Sequence, residues 1–308
     1  MAINFDSSLY ATAVGQWLSE NFEPQFARLR SVFAKLQTDG AIKVGGAYLL
    51  APVSKDKNPS VQGVANFASA MSIPADQGVG AQYNWSWYEG LTAINKAEEM
   101  ATEGEAAMVD LLESRLNETI ASFVEVVNTD LFSTTDASQS KIAGLPYALD
   151  TTGSFGGIDR STNTWWQAQN ESAVGAVTLA KINRMYNKCQ SRGGTPPSLI
   201  VMPEDIFGSY ESLLQASQQF VKDGKLADLG FTAYLHKGAT VLFDNACPAG
   251  TVLYVNTRHT YLVAMSKQPD AVPVQFPDRP VKGYLHTWAI ALVSRRLNAN
   301  GRQTGVTP

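Results

Sequence analysis

Apolar residues from Ser8 to Leu36 fall near helical spacing, at Leu9, Val14, Trp17, Leu18, Phe22, Phe26, Leu29, Val32, Phe33 and Leu36. Pro24 interrupts them, so the pattern predicts a broken amphipathic N-terminal arm. Between Gly40 and Gly90 the texture changes: Gly, Pro, Ser and Asn are frequent, and the only charges are Lys43, Lys55, Asp56, Lys57, Asp76 and Glu89. The run Gly46 to Val53 and the aromatic run Tyr83 to Tyr88 predict the two sides of a long hairpin. A structureless loop of this length is unusual in a compact domain, which favours a projecting β-arm.

A long helix follows. Asn95 with Glu98 three residues later can satisfy free amides reciprocally, as a capping box does. Met108, Leu111, Leu112, Leu116, Ile120, Phe123, Val124, Val127 and Leu131 then form one apolar stripe at three and four spacing. A helix from Asn95 to Leu131 would reach roughly 50 Å, with Gly104 as a kink or as its true start. After a Ser and Thr linker near Ser133 to Ser140, helices and strands alternate. The pattern predicts a helix over Thr178 to Cys189, a strand Leu199 to Met202 and a helix after Pro203. Short strands follow at Ala239 to Phe243, Val252 to Val255, Tyr261 to Met265 and Val272 to Phe276, then a long one from Tyr284 to Arg295. The class is α+β, without internal repeats.

Composition narrows the partners. The 308 residues are 44% hydrophobic and 17% charged, enough for a substantial core. The formal charge of −4 supplies no overall drive toward nucleic acid, so specific DNA reading is not expected. Charge is nevertheless segregated: Asn95 to Phe132 holds nine acidic residues against Lys96 and Arg115. Beyond Asp278 there are no acidic side chains, only Arg279, Lys282, Arg295, Arg296 and Arg302 among the charged ones. Either these are solvated surfaces, or the acidic helix and basic tail meet within or between subunits. No segment has the length of a membrane span, and the N-terminal residues lack the basic-then-apolar order of a secretory signal. Asn117-Glu118-Thr119 matches a glycosylation acceptor but lies inside the helical stretch and is read as accidental.

Catalytic chemistry is hard to find. His236, His259 and His286 have no partner His or Cys at metal-site spacing, and scattered structural histidines are the simpler reading. Cys189 and Cys247 are far apart and read as buried, reduced thiols. There is no His-Glu-x-x-His, no Gly-x-Ser-x-Gly elbow and no phosphate loop ending in Gly-Lys-Ser/Thr. Glu204 and Asp205 sit where carboxylates cap a helix N-terminus. Gly153 to Gly157 lacks the strand, spacing and acidic follow-up of a dinucleotide fingerprint. No catalytic, metal or cofactor-binding residue is assigned.

The stretch Gly156-Gly157-Ile158-Asp159-Arg160-Ser161-Thr162-Asn163-Thr164-Trp165-Trp166 is the most specific in the chain. It resembles a stretch of one group of tailed-bacteriophage major capsid proteins, in which Gly-Gly-Ile-Asp-Arg-Ser leads to paired tryptophans. Asp110-Leu111-Leu112-Glu113, Asn128-Thr129-Asp130-Leu131-Phe132 and Gly144-Leu145 upstream fit the same family, as does Ser198-Leu199-Ile200-Val201-Met202-Pro203 downstream. The resemblance spans about Gly45 to Leu297. It implies the Hong Kong 97-type capsid fold. That fold has an N-terminal arm (1–39), an extended β-hairpin loop (40–92), a peripheral domain with a long spine helix (93–135 and 268–308) and an axial domain (136–267).

The resemblance further implies a non-enzymatic virion protein that assembles in the host bacterial cytoplasm into hexamers and pentamers and encloses double-stranded DNA. A portal and decoration proteins are implied partners. The arm is too short for a fused scaffolding domain, so a separate scaffolding protein is expected. Candidate intersubunit contacts are Tyr48, Leu49, Lys55, Lys57, Trp85, Trp87, Arg295 and Arg296, and Trp165 and Trp166 are candidate packing anchors. Some relatives join a loop lysine to a neighbour's asparagine; Lys55 or Lys57 with Asn298 or Asn300 would correspond, although no local motif requires the bond. The alternatives are an encapsulin-like compartment and an oligomeric enzyme with a dispersed site.

Overall fold

The computed structural model describes residues 31–43, 45–55, 78–96, 98, 105–216, 234–266, 269–275 and 281–308. The arm before residue 31, Gly104 and Lys57 lie outside the described residues. Along the chain run α1 (Ser31–Thr38), β1 (Ala41–Ile42), β2 (Tyr48–Ser54), β3 (Gly78–Asn84), β4 (Ser86–Asn95) and α2 (Glu105–Leu131). Next come α3 (Leu145–Ala148), β5 (Ser154–Phe155), β6 (Ile158–Asp159), β7 (Gln169–Glu171), β8 (Gly175–Ala176), α4 (Leu179–Gly193), β9 (Leu199–Met202) and α5 (Glu204–Ala216). The remainder is β10 (Tyr234–His236), β11 (Ala239–Phe243), β12 (Thr251–Val255), β13 (Thr260–Ala264), β14 (Asp270–Gln275), β15 (Val281–Ser294), β16 (Gly301–Thr304) and β17 (Val306–Thr307).

Two sheets organise the molecule. In the first, β15 is central: β13 and β14 pair along one side of it, β4 along the other, and β1 extends the β13 edge. Helix α2 lies across this sheet, burying Leu116, Ile120, Phe123, Val124, Val127 and Leu131, the C-terminal part of the predicted stripe. The approach is close at Gly90, where a Cβ would stand 2.5 Å from the Phe123 ring. Lys96 and Glu98 are helical, and the Asn95 amide at the end of β4 donates to the Glu98 carboxylate (3.2 Å), half of the expected capping exchange.

The second sheet has the order β10-β11-β9-β12-β16-β7. Ile200, Met202, Val241, Val252 and Tyr254 face α4 and α5 in one core. Leu199, Val201, Leu242, Leu253 and Val255 face the larger core shared with the first sheet. Both sides of the central strands are therefore buried, which explains their continuous apolar runs. Helix α4 starts at the Thr178 cap, whose hydroxyl accepts from the Lys181 amide, and ends at Gly194 in the left-handed conformation. Sheet membership does not change at residue 267: β13 and β14 share the first sheet, whereas β16 joins the second.

The hairpin differs from the expected pairing. β2 pairs with β3 from Tyr48 opposite Asn84 to Ser54 opposite Gly78, and Ser86 to Tyr88 belong to β4 of the large sheet. The aromatic run is split because burial stops alternating there: Trp85 and Ser86 are both buried, and the chain passes from one pairing partner to the next.

Candidate assembly surfaces and the tryptophan turn

The β2–β3 hairpin has two unlike faces. Leu49, Ala51, Val53, Ala81 and Tyr83 turn inward, while Tyr48 and Leu50 are 45% and 55% exposed. The inward face is fastened by side chains. Tyr83 Oη donates to Ser294 O (2.6 Å), and burial raises its pKa. Trp85 Nε1 donates to Gly46 O (2.9 Å). Leu49, on the inward face of β2, and Trp85, between β3 and β4, are thus buried in the chain's own core. Tyr48, Lys55 and Trp87 are exposed.

The turn at Gly156 and Gly157 locks this hairpin to the body. Phe155 pairs with Ile158, and both intervening glycines have positive φ (63° and 73°), as a type I′ turn requires. Gly156 has no room for a side chain, since a Cβ would lie 2.9 Å from the Tyr83 ring, and its carbonyl accepts from the Gln82 amide (2.9 Å). Trp166 is fully buried, with Nε1 donating to Phe155 O (2.9 Å). Trp165 is only half-buried and donates to Asn163 Oδ1 (3.2 Å).

Arg160 is the residue of this motif that sequence reasoning passed over. Its guanidinium is buried and meets the carbonyls of Tyr147 (2.5 Å), Ala148 (2.9 Å) and Asp150 (3.3 Å) through Nη1, and that of Gly153 (3.2 Å) through Nε. It also lies over the Tyr147 ring at 4.7 Å. Arg302 adds a hydrogen bond to Pro146 O (2.7 Å) and an ion pair with Asp150 (3.2 Å). Two cations therefore satisfy the free carbonyl end of α3, where the helix dipole favours positive charge. The only signal available in sequence was an Arg beside the Gly-Gly turn. Its partners are backbone atoms, which leave no residue pattern.

The titratable groups are held structurally. His286 in β15 contacts Thr92 Oγ1 (3.0 Å); Thr92 donates to Thr119 Oγ1 (2.9 Å), which donates to Arg115 O (2.9 Å). Because Thr92 spends its one hydrogen on Thr119, His286 Nε2 is the donor. His236 contacts Tyr210 (3.1 Å) and Asn183 (3.2 Å), and His259 contacts Thr195 (3.2 Å). Burial lowers the pKa of all three. Cys189 and Cys247 are buried free thiols, and burial pushes Cys189 up to about 12. No group of three or more His, Cys, Asp and Glu among the described residues could hold a metal.

Asn300 is fully buried, its side-chain oxygen accepting from the Asn256 amide (2.7 Å) and its nitrogen bonding Thr260 (2.9 Å), so it is not presented to a neighbour's lysine. Arg295 and Arg296 are exposed. Arg295 stands 5.6 Å from the Tyr261 ring centre, and Arg296 donates to Asn298 (3.3 Å).

No protein-family description matches the sequence, and no curated protein does. Solved structures do. A capsid chain of cyanophage A-1(L) superposes with a TM-score of 0.69 at 16% identity, covering 91% of this chain and 94% of that one. The capsid chain of an empty GTA particle gives 0.60 at 11% identity, covering 89% and 90%. The SrpI encapsulin of Synechococcus elongatus PCC 7942 gives 0.60 at 11%, covering 87% and 85%. With the long helix laid across one sheet, a hairpin beside it and a second sheet carrying two helices on one face, the chain has the Hong Kong 97-type capsid fold.

Proposed function

We propose that this chain is the major capsid protein of a tailed bacteriophage, a non-catalytic subunit that forms hexamers and pentamers and closes around double-stranded DNA without reading its sequence. The observation that carries the reading is the near-complete, two-way coverage of the cyanophage capsid chain. The hairpin supports it: one face is fastened into the subunit, and the other leaves Tyr48 and Leu50 in water, where a single subunit gains nothing from them. In this reading the β2–β3 hairpin clamps a neighbouring subunit, the first sheet with α2 serves in the peripheral domain and the second sheet in the axial domain. A separate scaffolding protein, a portal and decoration proteins are the partners this reading expects.

The encapsulin superposition is as good as the GTA one, so a cargo-holding protein compartment is the second reading. Electron microscopy of the purified protein tests both. Closed icosahedral particles are expected, and a small oligomer would refute shell assembly. Particles made in the presence of the packaging machinery should contain nuclease-protected DNA; protein cargo instead would favour the compartment.

A further inference from the structure

Two of the first sheet's outer strands, β14 and β4, are finished differently. Ala289 O accepts from the Met265 amide (3.0 Å), so the odd-numbered residues of β15 turn their backbone groups toward β13 and β14 and the even-numbered ones toward β4. On β14, the partners of Gly283, Leu285 and Thr287 are Val274, Val272 and Asp270. The outward-facing positions are then Ala271, Pro273 and Gln275. Pro273 has no amide hydrogen to offer, so that edge is blunted where a further strand would dock.

β4 carries no such guard. Its even residues bond β15, so the amides of Trp87, Glu89, Leu91, Ala93 and Asn95 point away from the sheet. The two end ones are used within the chain: Trp87 donates to Gln139 O (2.8 Å) and Asn95 to Glu98. Glu89, Leu91 and Ala93 find no backbone partner among the described residues. Beside this open stretch runs a groove between β4 and α2, with Phe123 in its wall and Glu118 and Arg115 at its rim. Around it Trp87 (49%), Leu91 (47%) and Val126 (51%) are exposed.

We propose that residues 89–93 of β4 accept an added strand from a second copy of this chain. The inference rests on the shell reading and adds the mode of contact: backbone ladder bonds at Glu89, Leu91 and Ala93, with alternate side chains of the incoming strand over Leu91 and Val126. Charge selects a second copy as the occupant. The groove is flanked by Glu89 of β4 and by Glu118 of the acid-rich helix, the latter paired with Arg115, and the same chain exposes Arg295 and Arg296 in a segment without carboxylates.

Leu91→Pro is the decisive variant, because it removes an outward amide that no described strand uses and leaves the β15 ladder intact. The variant should keep the subunit's circular dichroism and lose particle formation. Hydrogen exchange on the wild type provides the independent measurement: amides of Leu91 and Ala93 should slow by about tenfold or more in particles relative to free subunits. Particles from Leu91→Pro, or equal exchange in the two states, would overturn the proposal while leaving the shell reading intact. Protection that needs an added scaffolding or decoration protein would also overturn it. Wild-type protein that never assembles would instead sink the shell reading itself. Should Leu91→Pro fail to fold, Leu91→Lys with the exchange measurement decides the same question.

Discussion

Trp165 and Trp166 are adjacent in the chain, and their surroundings set them apart. Trp166 is enclosed by the core and bonded to Phe155 O, whereas Trp165 keeps part of its ring in water. Truncating a fully enclosed aromatic costs about 3–5 kcal/mol, since neither the vacated volume nor the orphaned carbonyl is recovered. Trp166→Ala should therefore lower subunit stability by that amount in urea titrations, and Trp165→Ala by about 1 kcal/mol. Equal losses would mean that the pair acts as one anchor. The histidines supply a second residue-scale prediction. Each has a folded pKa below its ordinary value of 6.5, so the unfolded chain binds more protons and stability rises with pH. Their contribution is complete above about pH 6.5 and declines as pH falls toward the lower folded values. His286 has the clearest structural reason, because a charge there would sit inside the sheet next to Thr92. His286→Gln should flatten the fall in urea midpoint between about pH 6.5 and 5, and an unchanged slope would assign the effect to His236 and His259. At this scale the sequence was readable where chemistry is local. The Gly-Gly turn and the tryptophans stood out, but the carbonyl contacts of Arg160 did not.

The hairpin is the element on which expectation and structure part most usefully. Tyr48 and Leu49 are both contact candidates by sequence, but a strand sends neighbours to opposite sides, and it is Tyr48 and Leu50 that are left outside. Leu49→Ala should destabilise the isolated subunit by about 2–5 kcal/mol. Leu50→Ser should leave subunit unfolding within about 0.5 kcal/mol of wild type and weaken assembly. The reverse order in denaturant and assembly measurements would restore the free-arm picture for this segment. Other elements were legible to different degrees. β11 matches its predicted bounds, and α4 begins one residue after Thr178, where the helix is predicted to start, because burial on both faces and a capping hydroxyl write themselves into consecutive residues. β7 and β16 were missed. Their residues are largely polar, and they become strands only because β12 and each other supply the ladder. Gln303 illustrates this: it is buried, yet Tyr254 donates to it (2.8 Å) and it donates to Glu171 (3.1 Å), so burial left no apolar trace.

At the scale of the whole molecule, no ion pair among the described residues joins the acidic helix to Arg295 or Arg296. Arg115 pairs with Glu98 (3.1 Å) and Glu118 (3.5 Å), Lys141 with Asp130 (3.6 Å) and Arg302 with Asp150 (3.2 Å). No carboxylate of the described residues pairs with Arg295 or Arg296, which stand exposed where β15 ends. A single exposed ion pair contributes about 0–1 kcal/mol, too little to matter to a folded monomer. A closed shell repeats each contact at every subunit, so the same small term acts on assembly many times over and is screened by salt. Replacing both arginines, as Arg295→Gln with Arg296→Gln, should thus leave subunit unfolding nearly unchanged. It should raise the protein concentration needed for assembly by about fivefold, the equivalent of about 1 kcal/mol per subunit. The discriminating measurement is light scattering across a salt series. Wild-type assembly driven by acid–base contacts between subunits should weaken with added salt, and the double variant should respond less. If the two proteins assemble at the same concentration and with the same salt slope, the basic end of the chain is a solvated surface, and the interfaces are held by the apolar faces of the hairpin and β4.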